Sequence, residues 1–285
     1  TLAAFLQLCW PALALMCANT LFSAFMGRIP DAMNPDDAWM GQLIGAGLIL
    51  VVLGILHFGG TIERMLERTA WFMLVLIFAF LLFVNIVFIP RENWILTLKG
   101  FLGLIPRGEG AIDWGLLGAL AATAGCGGIG NLTITNWMRD KGFGMGSLTG
   151  AIPSAVGSRQ IKLSKTGKVF PANEANLSRW REWLRYVTAD QVWVWALFCF
   201  FGMFLNVNLA TGIVPAGTNM EGLAAGAYQA EYIARALGRA FWFLTLLNGF
   251  WILFSTQLGN TDILVRTVTD ILWLSSKRVR RWRGG

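Results

Sequence analysis

Nineteen consecutive residues, from Trp71 to Ile89, contain a single polar side chain. Their sequence is WFMLVLIFAFLLFVNIVFI, in which Asn85 is the exception. A helix needs about 20 residues, most of them apolar, to cross the hydrocarbon core of a bilayer. This segment therefore predicts a transmembrane helix.

The composition of the whole chain extends that prediction. Hydrophobic residues make up 55% of the 285 residues, and charged residues make up only 14%. Soluble domains usually carry about 25% charged residues. The chain also has 14 Trp and 20 Phe against three Tyr, which suits lipid and interfacial surroundings. We therefore expect an all-α, polytopic membrane protein.

Five further apolar blocks give six predicted transmembrane helices in a single transmembrane domain, 1–285. Each block alone is compatible with a buried helix of a soluble protein. Six such blocks joined by charged loops favour membrane spans. The predicted spans are 2–25, 40–58, 71–89, 114–137, 192–209 and 236–258.

The loop charges predict an orientation in the membrane. With six spans, 17 of the 23 Lys and Arg residues fall on one side, and this side is predicted to be cytoplasmic. It includes the long loop 139–190. We therefore expect a multi-pass protein of the cytoplasmic (inner) membrane. The basic residues predicted to lie outside are Arg28, Arg91, Lys99, Arg107, Arg235 and Arg239.

The net charge of +7 does not require a nucleic-acid partner. The excess of basic residues lies in loops beside predicted spans, where it can attract anionic lipids of the inner leaflet. The lipid bilayer is thus the expected partner, and no nucleic acid is expected.

Part of the cytoplasmic loop has helical periodicity. Between 176 and 187, Leu177, Trp180, Leu184 and Val187 recur at helical spacing, and charged residues cover the other side. This pattern fits an interfacial helix on the inner membrane surface, and equally an amphipathic helix docked on the protein. Asp190 is placed to cap the span that follows.

Motifs of catalysis are absent from the sequence. It contains no His-Glu-x-x-His, Gly-x-Ser-x-Gly or Walker-type Gly-Lys-Ser/Thr motif, so neither an enzyme nor a cofactor is expected. The single histidine, His57, favours a neutral interfacial side chain over a proton relay. The cysteines form no Cys-x-x-Cys pair, and all lie in apolar spans: Cys9, Cys17, Cys126 and Cys199.

The fourth predicted span contains a glycine cluster, Gly125-Cys126-Gly127-Gly128-Ile129-Gly130-Asn131. Glycine costs roughly 1 kcal/mol per residue in a helix relative to alanine. We therefore expect the helix to break within 124–131, where freed carbonyls can line an ion pathway. Close packing of neighbouring helices is the alternative. The residues assigned to the pathway here are Gly125, Cys126, Gly127, Gly128 and Asn131.

Three other polar features lie in or beside spans. Asn248 is the candidate for a cavity in the sixth span, while Asn85 can simply bond between helices. The run Ser255–Asp262 at the inner end of the sixth span has two interpretations. It lines an inner vestibule, or it begins a loop helix capped by Asn260.

Several stretches resemble the natural-resistance-associated macrophage protein (Nramp) family of divalent-metal transporters, and its bacterial Nramp-related branch more closely. The resemblance lies in the glycine cluster and in three motifs, and it extends along most of the chain in span order and loop length. The motifs are Asn136-Trp-Met-Arg-Asp-Lys-Gly-Phe-Gly-Met-Gly146, Thr256-Gln-Leu-Gly-Asn-Thr-Asp262 and Arg266-Thr-Val-Thr-Asp270.

The resemblance implies part of a LeuT-like fold with two inverted five-helix repeats. The six spans would be helices three to eight, and the chain a piece of a longer protein, as its ends also indicate. The fourth span would then be the broken helix that opens the second repeat. By the same resemblance, the backbone carbonyl of Gly125 would coordinate metal, with Asn131 as a further ligand. The family's Asp-Pro-Gly-Asn metal motif belongs to the first helix, outside this sequence.

The chain departs from the family's Ala-x-x-Met-Pro-His-Asn pattern in that helix. Gly128 stands where the family has the Met ligand, and Gly130 stands where it has the His. Oxygen ligands without a thioether favour Mg²⁺ or Mn²⁺ over softer metals. The expected function is therefore secondary transport of a divalent cation. The alternatives are an amino-acid or amine transporter of the same fold and a non-transporting membrane scaffold.

Overall fold

The computed structural model describes residues 11–31, 33–57, 62–104, 114–115, 118, 135, 138, 142–149, 169–215, 218 and 225–277. Every regular element within these residues is helical. The elements are α1 (Pro11–Met26), α2 (Pro35–His57), α3 (Ile62–Phe88), α4 (Arg91–Phe101), α5 (Gly146–Thr149), α6 (Glu174–Ala189), a π-helical turn (Asp190–Ala196), α7 (Leu197–Ile213), α8 (Ala225–Leu237) and α9 (Arg239–Ser275).

Four helical segments of the described chain are long and apolar enough to cross a membrane. They are Pro35–Leu56, Ala70–Phe88, Glu174–Ile213 and Arg239–Val265. A fifth apolar helix, Ala12–Met26, is shorter. The fourth predicted span lies almost entirely outside the described residues. The prediction of an all-helical membrane protein is confirmed at this level, while the six spans and the LeuT-like arrangement stay predictions.

The side chains of α3 are distributed as a lipid environment requires. Asn85 is fully buried, whereas the neighbouring Ile86 is 68% exposed and Phe83 is 51% exposed. In water this arrangement would expose apolar surface, but against lipid it costs nothing. The exposed face of α3 is therefore suited to contact with lipid, while Asn85 points toward other helices.

Helix α9 extends beyond the predicted sixth span. It begins after Gly238, whose φ of +102° separates it from α8, and it runs for 37 residues to Ser275. The interpretation of Asn260 as a helix cap is wrong, because Asn260 lies inside α9. The polar run stays helical since hydroxyls bond to the helix's own carbonyls. Thr256 donates to Ile252 O and Thr261 donates to Gln257 O, each at 2.8 Å.

The helix expected at 176–187 is present as α6. Its N-cap is Asn173, whose side chain accepts a hydrogen bond from Asn176 N at 2.9 Å. The predicted capping role of Asp190 is wrong, because the chain is already helical there and continues through the π-helical turn into α7. None of the α6 residues is buried. Its position on the membrane surface stays a prediction.

The helices pack around two apolar clusters. One joins α3, α7 and α8 and contains Leu81, Val84, Ile89, Phe204, Leu205, Leu209 and Ile233. The other joins α8 and α9 and contains Ala227, Ala230, Trp242 and Leu246. Helix α9 also packs along α1, and α1 packs along α2. Thus α9 connects the α1–α2 pair to α8, and α8 connects these helices to α7.

Several helix ends meet on one side of the bundle. Arg28, just after α1, forms an ion pair with Asp37 in the first turn of α2. The rings of Phe88 at the end of α3 and Phe241 at the start of α9 are 5.8 Å apart. We call this side the Arg28 end. The loop charges predict that the Arg28 end faces outward.

Candidate functional site

Most of the predicted pathway residues lie outside the described residues. This applies to Gly125, Cys126, Gly127, Gly128 and Asn131, and to the helix break expected within 124–131. The remaining residue, Asn248, lies in the N-terminal half of α9 and is half-buried. Asn248 and its neighbours are therefore the described part of the predicted site.

Thr245 lies one turn before Asn248 on α9. Residues three apart are neighbours on a helix surface, about 5–6 Å apart at Cβ. The Thr245 side chain is 8% exposed, and its Oγ1 has no hydrogen-bond partner among the described residues. A buried threonine in a helix ordinarily donates to the carbonyl one turn before it, as Thr267 does to Ile263 O at 2.8 Å. Thr245 therefore retains an uncommitted oxygen.

The α1 surface that contacts this part of α9 is also polar. Cys17 Sγ is 3.9 Å from Phe250 O of α9. A Cβ placed on Gly249 would be 3.9 Å from Thr20 Cγ2. Cys17 and Thr20 lie at this contact, and we group them with Thr245 and Asn248 of the same part of α9 as the α1–α9 seam. Thr20 Oγ1 donates to Met16 O at 2.8 Å, so its lone pairs stay available as acceptors.

A second uncommitted oxygen lies further along α9. Gln257 is 7% exposed, and its Oε1 has no hydrogen-bond partner in the described part of the chain. Its Nε2 lies 3.3 Å from Thr261 Oγ1. Twelve residues separate Thr245 from Gln257, which corresponds to about 18 Å of helix rise. The two oxygens therefore cannot contact the same ion, and Gln257 is separate from the α1–α9 seam.

The chemistry of the seam is that of hard, neutral oxygen ligands. Hydroxyl and amide oxygens suit Mg²⁺ and Mn²⁺, which keep part of their water shell. Within the described ranges, no group of three or more His, Cys, Asp or Glu residues could hold a metal ion. An ion at the seam would therefore meet Thr245 and Asn248 as neutral ligands, alongside ligands from other segments.

A separate polar cluster joins α3, α4 and α7, and we call it the asparagine network. Asn208 is its centre, fully buried. Its Nδ2 donates to Asn85 Oδ1 at 2.8 Å, and its Oδ1 accepts from Asn93 Nδ2 and Thr97 Oγ1, each at 2.9 Å. Asn93 Nδ2 also lies 3.1 Å from Thr211 Oγ1.

Within this network Asn85 acts as an interhelical link. Its Nδ2 donates to Leu81 O of its own helix at 2.8 Å and to Leu205 O of α7 at 3.1 Å. Its Oδ1 accepts from Asn208, so both ends of the amide are occupied. Asn85 therefore follows the structural interpretation, because its amide bonds between helices at both ends.

Sequence reasoning did not single out Asn208. The signal was present, since Asn206 and Asn208 interrupt the apolar run of the fifth predicted span. A buried polar residue within a span needs a hydrogen-bond partner. An asparagine in another span is therefore a candidate partner for the isolated Asn85. Thr245 carries no such signal in the sequence, because a helical threonine ordinarily donates to the carbonyl one turn before it.

Searches against family models, curated proteins and solved structures find no match to this chain. The site is therefore defined by the chain's own residues. Among the described residues, the seam contains a buried hydroxyl oxygen without a hydrogen-bond partner, whereas the Asn85 and Asn208 amides of the network are bonded.

Proposed function

We propose that the chain forms part of a secondary transporter that moves a divalent cation, Mg²⁺ or Mn²⁺, across the cytoplasmic membrane. The observation that carries the proposal is the Thr245 hydroxyl, buried without a partner beside the half-buried amide of Asn248. A buried polar group that makes no hydrogen bond costs about 1–3 kcal/mol. Such a cost inside a membrane helix is typical of a substrate or ion pathway.

The rest of the proposed site comes from the glycine-rich segment. Resemblance to the Nramp family assigns a metal-coordinating carbonyl to Gly125 and a further amide oxygen to Asn131. In a LeuT-like fold this segment and α9 are the sixth and eighth helices, and α1 is the third. The α1–α9 seam would then supply neutral oxygens to the same water-filled pathway, and Gly128 would leave room for a hydrated ion.

Uptake into proteoliposomes tests the proposal. The full-length protein that contains this chain is reconstituted, and uptake of Mg²⁺ and Mn²⁺ is compared with uptake of Cd²⁺. We expect Mg²⁺ or Mn²⁺ to enter, Gly125→Val to stop uptake, and Gly128→Met to raise the relative affinity for Cd²⁺. Asn248→Leu should raise the KM for the ion.

Asn206→Leu is the matched control for Asn248→Leu. Asn206 also lies in an apolar helix, but its Nδ2 donates to Gly202 O of its own helix at 2.8 Å. Its removal should leave the KM unchanged. A folded protein that neither binds nor moves a divalent ion would contradict the proposal, and uptake of a labelled amino acid instead would support the alternative substrate class.

A further inference from the structure

Helix α4 follows α3 closely but turns back along α7. Pro90 lies between α3 and α4 as the N-cap of α4, and proline cannot extend the hydrogen-bond ladder of α3. The residues of α4 then contact α7 in reverse order. The contacts are Asn93 Nδ2 to Thr211 Oγ1 at 3.1 Å, Thr97 Oγ1 to Asn208 Oδ1 at 2.9 Å, and the rings of Phe101 and Phe200 at 5.5 Å.

The contact between α3 and α7 shows how deep α4 lies. Both helices belong to segments apolar and long enough to cross a membrane, and they run side by side in the same direction. Their contacts are Phe78–Phe198, Asn85–Leu205 and Ile89–Gly212. The apolar segment of α3 ends at Phe88, so Gly212 of α7 lies at the membrane boundary. From Phe88 back to Phe78 the helix rises about 15 Å, which is half of a hydrocarbon core of about 30 Å.

Measured against these contacts, the C-terminal end of α4 lies within the hydrocarbon core. Phe101 packs on Phe204 and Phe200, which lie between the boundary at Gly212 and the middle of the core at Phe198. A loop helix in the aqueous phase would contact only the last turn of α7. Helix α4 instead covers α7 over about 16 Å of helix, from residue 211 back to residue 200.

The side chains of α4 are distributed as lipid requires and not as water requires. Asn93 and Thr97 face α7, and Thr97 is only 6% exposed. The opposite face carries Ile95, Leu98 and Leu102, which are 57%, 45% and 64% exposed. A surface helix of a soluble protein turns its polar residues outward and its apolar residues inward. We call Ile95, Leu98 and Leu102 the outward face of α4.

The backbone at the end of α4 is closed by hydrogen bonds. Gly103 has a φ of +69°, which lets the chain turn back over the last helical turn. Leu104 N donates to Lys99 O at 2.8 Å, and Gly103 N donates to Gly100 O at 3.0 Å. This is the Schellman pattern, which satisfies carbonyls that a helix end otherwise leaves unpaired. A helix that ends within hydrocarbon needs such a closure.

The charged residues of α4 are compatible with insertion. Arg91 and Glu92 occupy its first turn, at the membrane boundary, whereas Lys99 lies in its last turn and is exposed. Helical side chains tilt toward the N-terminus of their helix. The stem of Lys99 can therefore lie along lipid while its ammonium group reaches toward the headgroups.

We propose that α4 is inserted obliquely into the membrane leaflet at the Arg28 end, with Ile95, Leu98 and Leu102 against lipid acyl chains. The segment after α3 is then not an aqueous loop at its start, and the outward face of α4 continues the lipid-contacting surface of α3. The proposal rests on α3 and α7 crossing the membrane, and it is independent of the transported ion.

Spin labels test the proposal in the full-length protein that contains this chain, with its native cysteines replaced by alanine. The variants Ile95→Cys, Leu98→Cys and Leu102→Cys are labelled singly and studied in phosphatidylcholine nanodiscs. Oxygen concentrates in hydrocarbon and a nickel chelate stays in water, so the ratio of their collision rates with the label reports its depth. The aqueous reference is Met33→Cys, at a residue 89% exposed between α1 and α2, and the lipid reference is Phe83→Cys on α3.

We expect the ratio at Leu98 and Leu102 to match that at Phe83 and to exceed that at Met33 several-fold. It should also rise from Ile95 to Leu102, because α4 descends. An impermeant maleimide gives a second reading, since only a thiolate reacts. It should modify Met33→Cys rapidly and Leu102→Cys only after denaturation. The proposal is overturned if the Leu98 and Leu102 variants behave as Met33→Cys does, or if Ile95 and Leu102 report equal depth.

Discussion

The asparagine network and the α1–α9 seam place similar side chains inside apolar helices, but their hydrogen bonds differ. In the network, Asn208 has both ends of its amide occupied by partners on α3 and α4. In the seam, Thr245 Oγ1 has no hydrogen-bond partner among the described residues. Polar residue type therefore does not distinguish a structural cluster from a candidate ion site, whereas the state of its hydrogen bonds does.

The difference also has an energetic side. A satisfied network links helices, although each interhelical bond in a membrane contributes only about 0.6 kcal/mol on average. An unsatisfied buried hydroxyl lowers stability by about 1–3 kcal/mol. Substitutions in the network should therefore act on stability, and substitutions in the seam should act on transport.

The largest stability effect is expected for Asn208→Leu. This change removes three side-chain hydrogen bonds and leaves Asn85 Oδ1 buried without a donor. We expect the free energy of unfolding to fall by about 2–4 kcal/mol, measured by denaturant titration in mixed micelles. The double variant Asn85→Leu/Asn208→Leu should lose less than the sum of the two single variants, because the Asn85 oxygen orphaned by Asn208→Leu is removed as well. Additive losses would mean that the two amides do not interact.

Gly212→Ala should have the next largest effect, because Gly212 lies where α7 approaches the end of α3. A Cβ at this position would be 2.8 Å from Ile89 Cδ1 and 3.3 Å from Asn93 Nδ2, so the buried Ile89 side chain must shift. We expect a loss of about 1–2 kcal/mol, since overpacking outweighs the better helix propensity of alanine.

Gly47→Ala is its control, because a Cβ at Gly47 of α2 meets no atom within 4 Å. Alanine there should leave stability unchanged or raise it by up to about 1 kcal/mol. Equal effects at the two glycines would show that the α3–α7 contact is looser than its geometry indicates.

The helices could be anticipated from the sequence better than the sites could. Apolar runs of span length, such as Trp71–Ile89, predict helices because a helix of about 20 residues crosses the bilayer and satisfies its own backbone in lipid. The extension of α9 past residue 258 was not predicted, since Thr256 and Thr261 look like loop residues until their bonds to backbone carbonyls are known. Equally, the partner of Asn85 lies 123 residues away, so local pattern cannot reveal whether that amide is bonded.

Thr97→Val and Thr245→Val compare the two regions with the same substitution. Thr97 donates to Asn208 Oδ1 at 2.9 Å, so its loss should cost about 1 kcal/mol and leave the KM for the ion unchanged. Thr245 has no bond to lose, so valine there should leave stability unchanged or raise it by up to about 1 kcal/mol, while uptake falls. Unfolding titrations and uptake assays on both variants separate the two roles. If Thr245→Val is destabilised as much as Thr97→Val and transports normally, the seam is structural as well.

Gln257→Leu should have the smallest effect and marks how far the seam extends along α9. The change removes the weak contact between Nε2 and Thr261 Oγ1 at 3.3 Å, and it also removes a buried oxygen that has no partner. These opposing effects should leave the free energy of unfolding within about 0.5 kcal/mol of the original value. Because about 18 Å of helix separates Gln257 from Thr245, the KM for the ion should also stay unchanged, whereas Asn248→Leu should raise it. An equal rise in KM for Gln257→Leu and Asn248→Leu would mean that ions are recognised along most of α9, because no single coordination sphere reaches both residues.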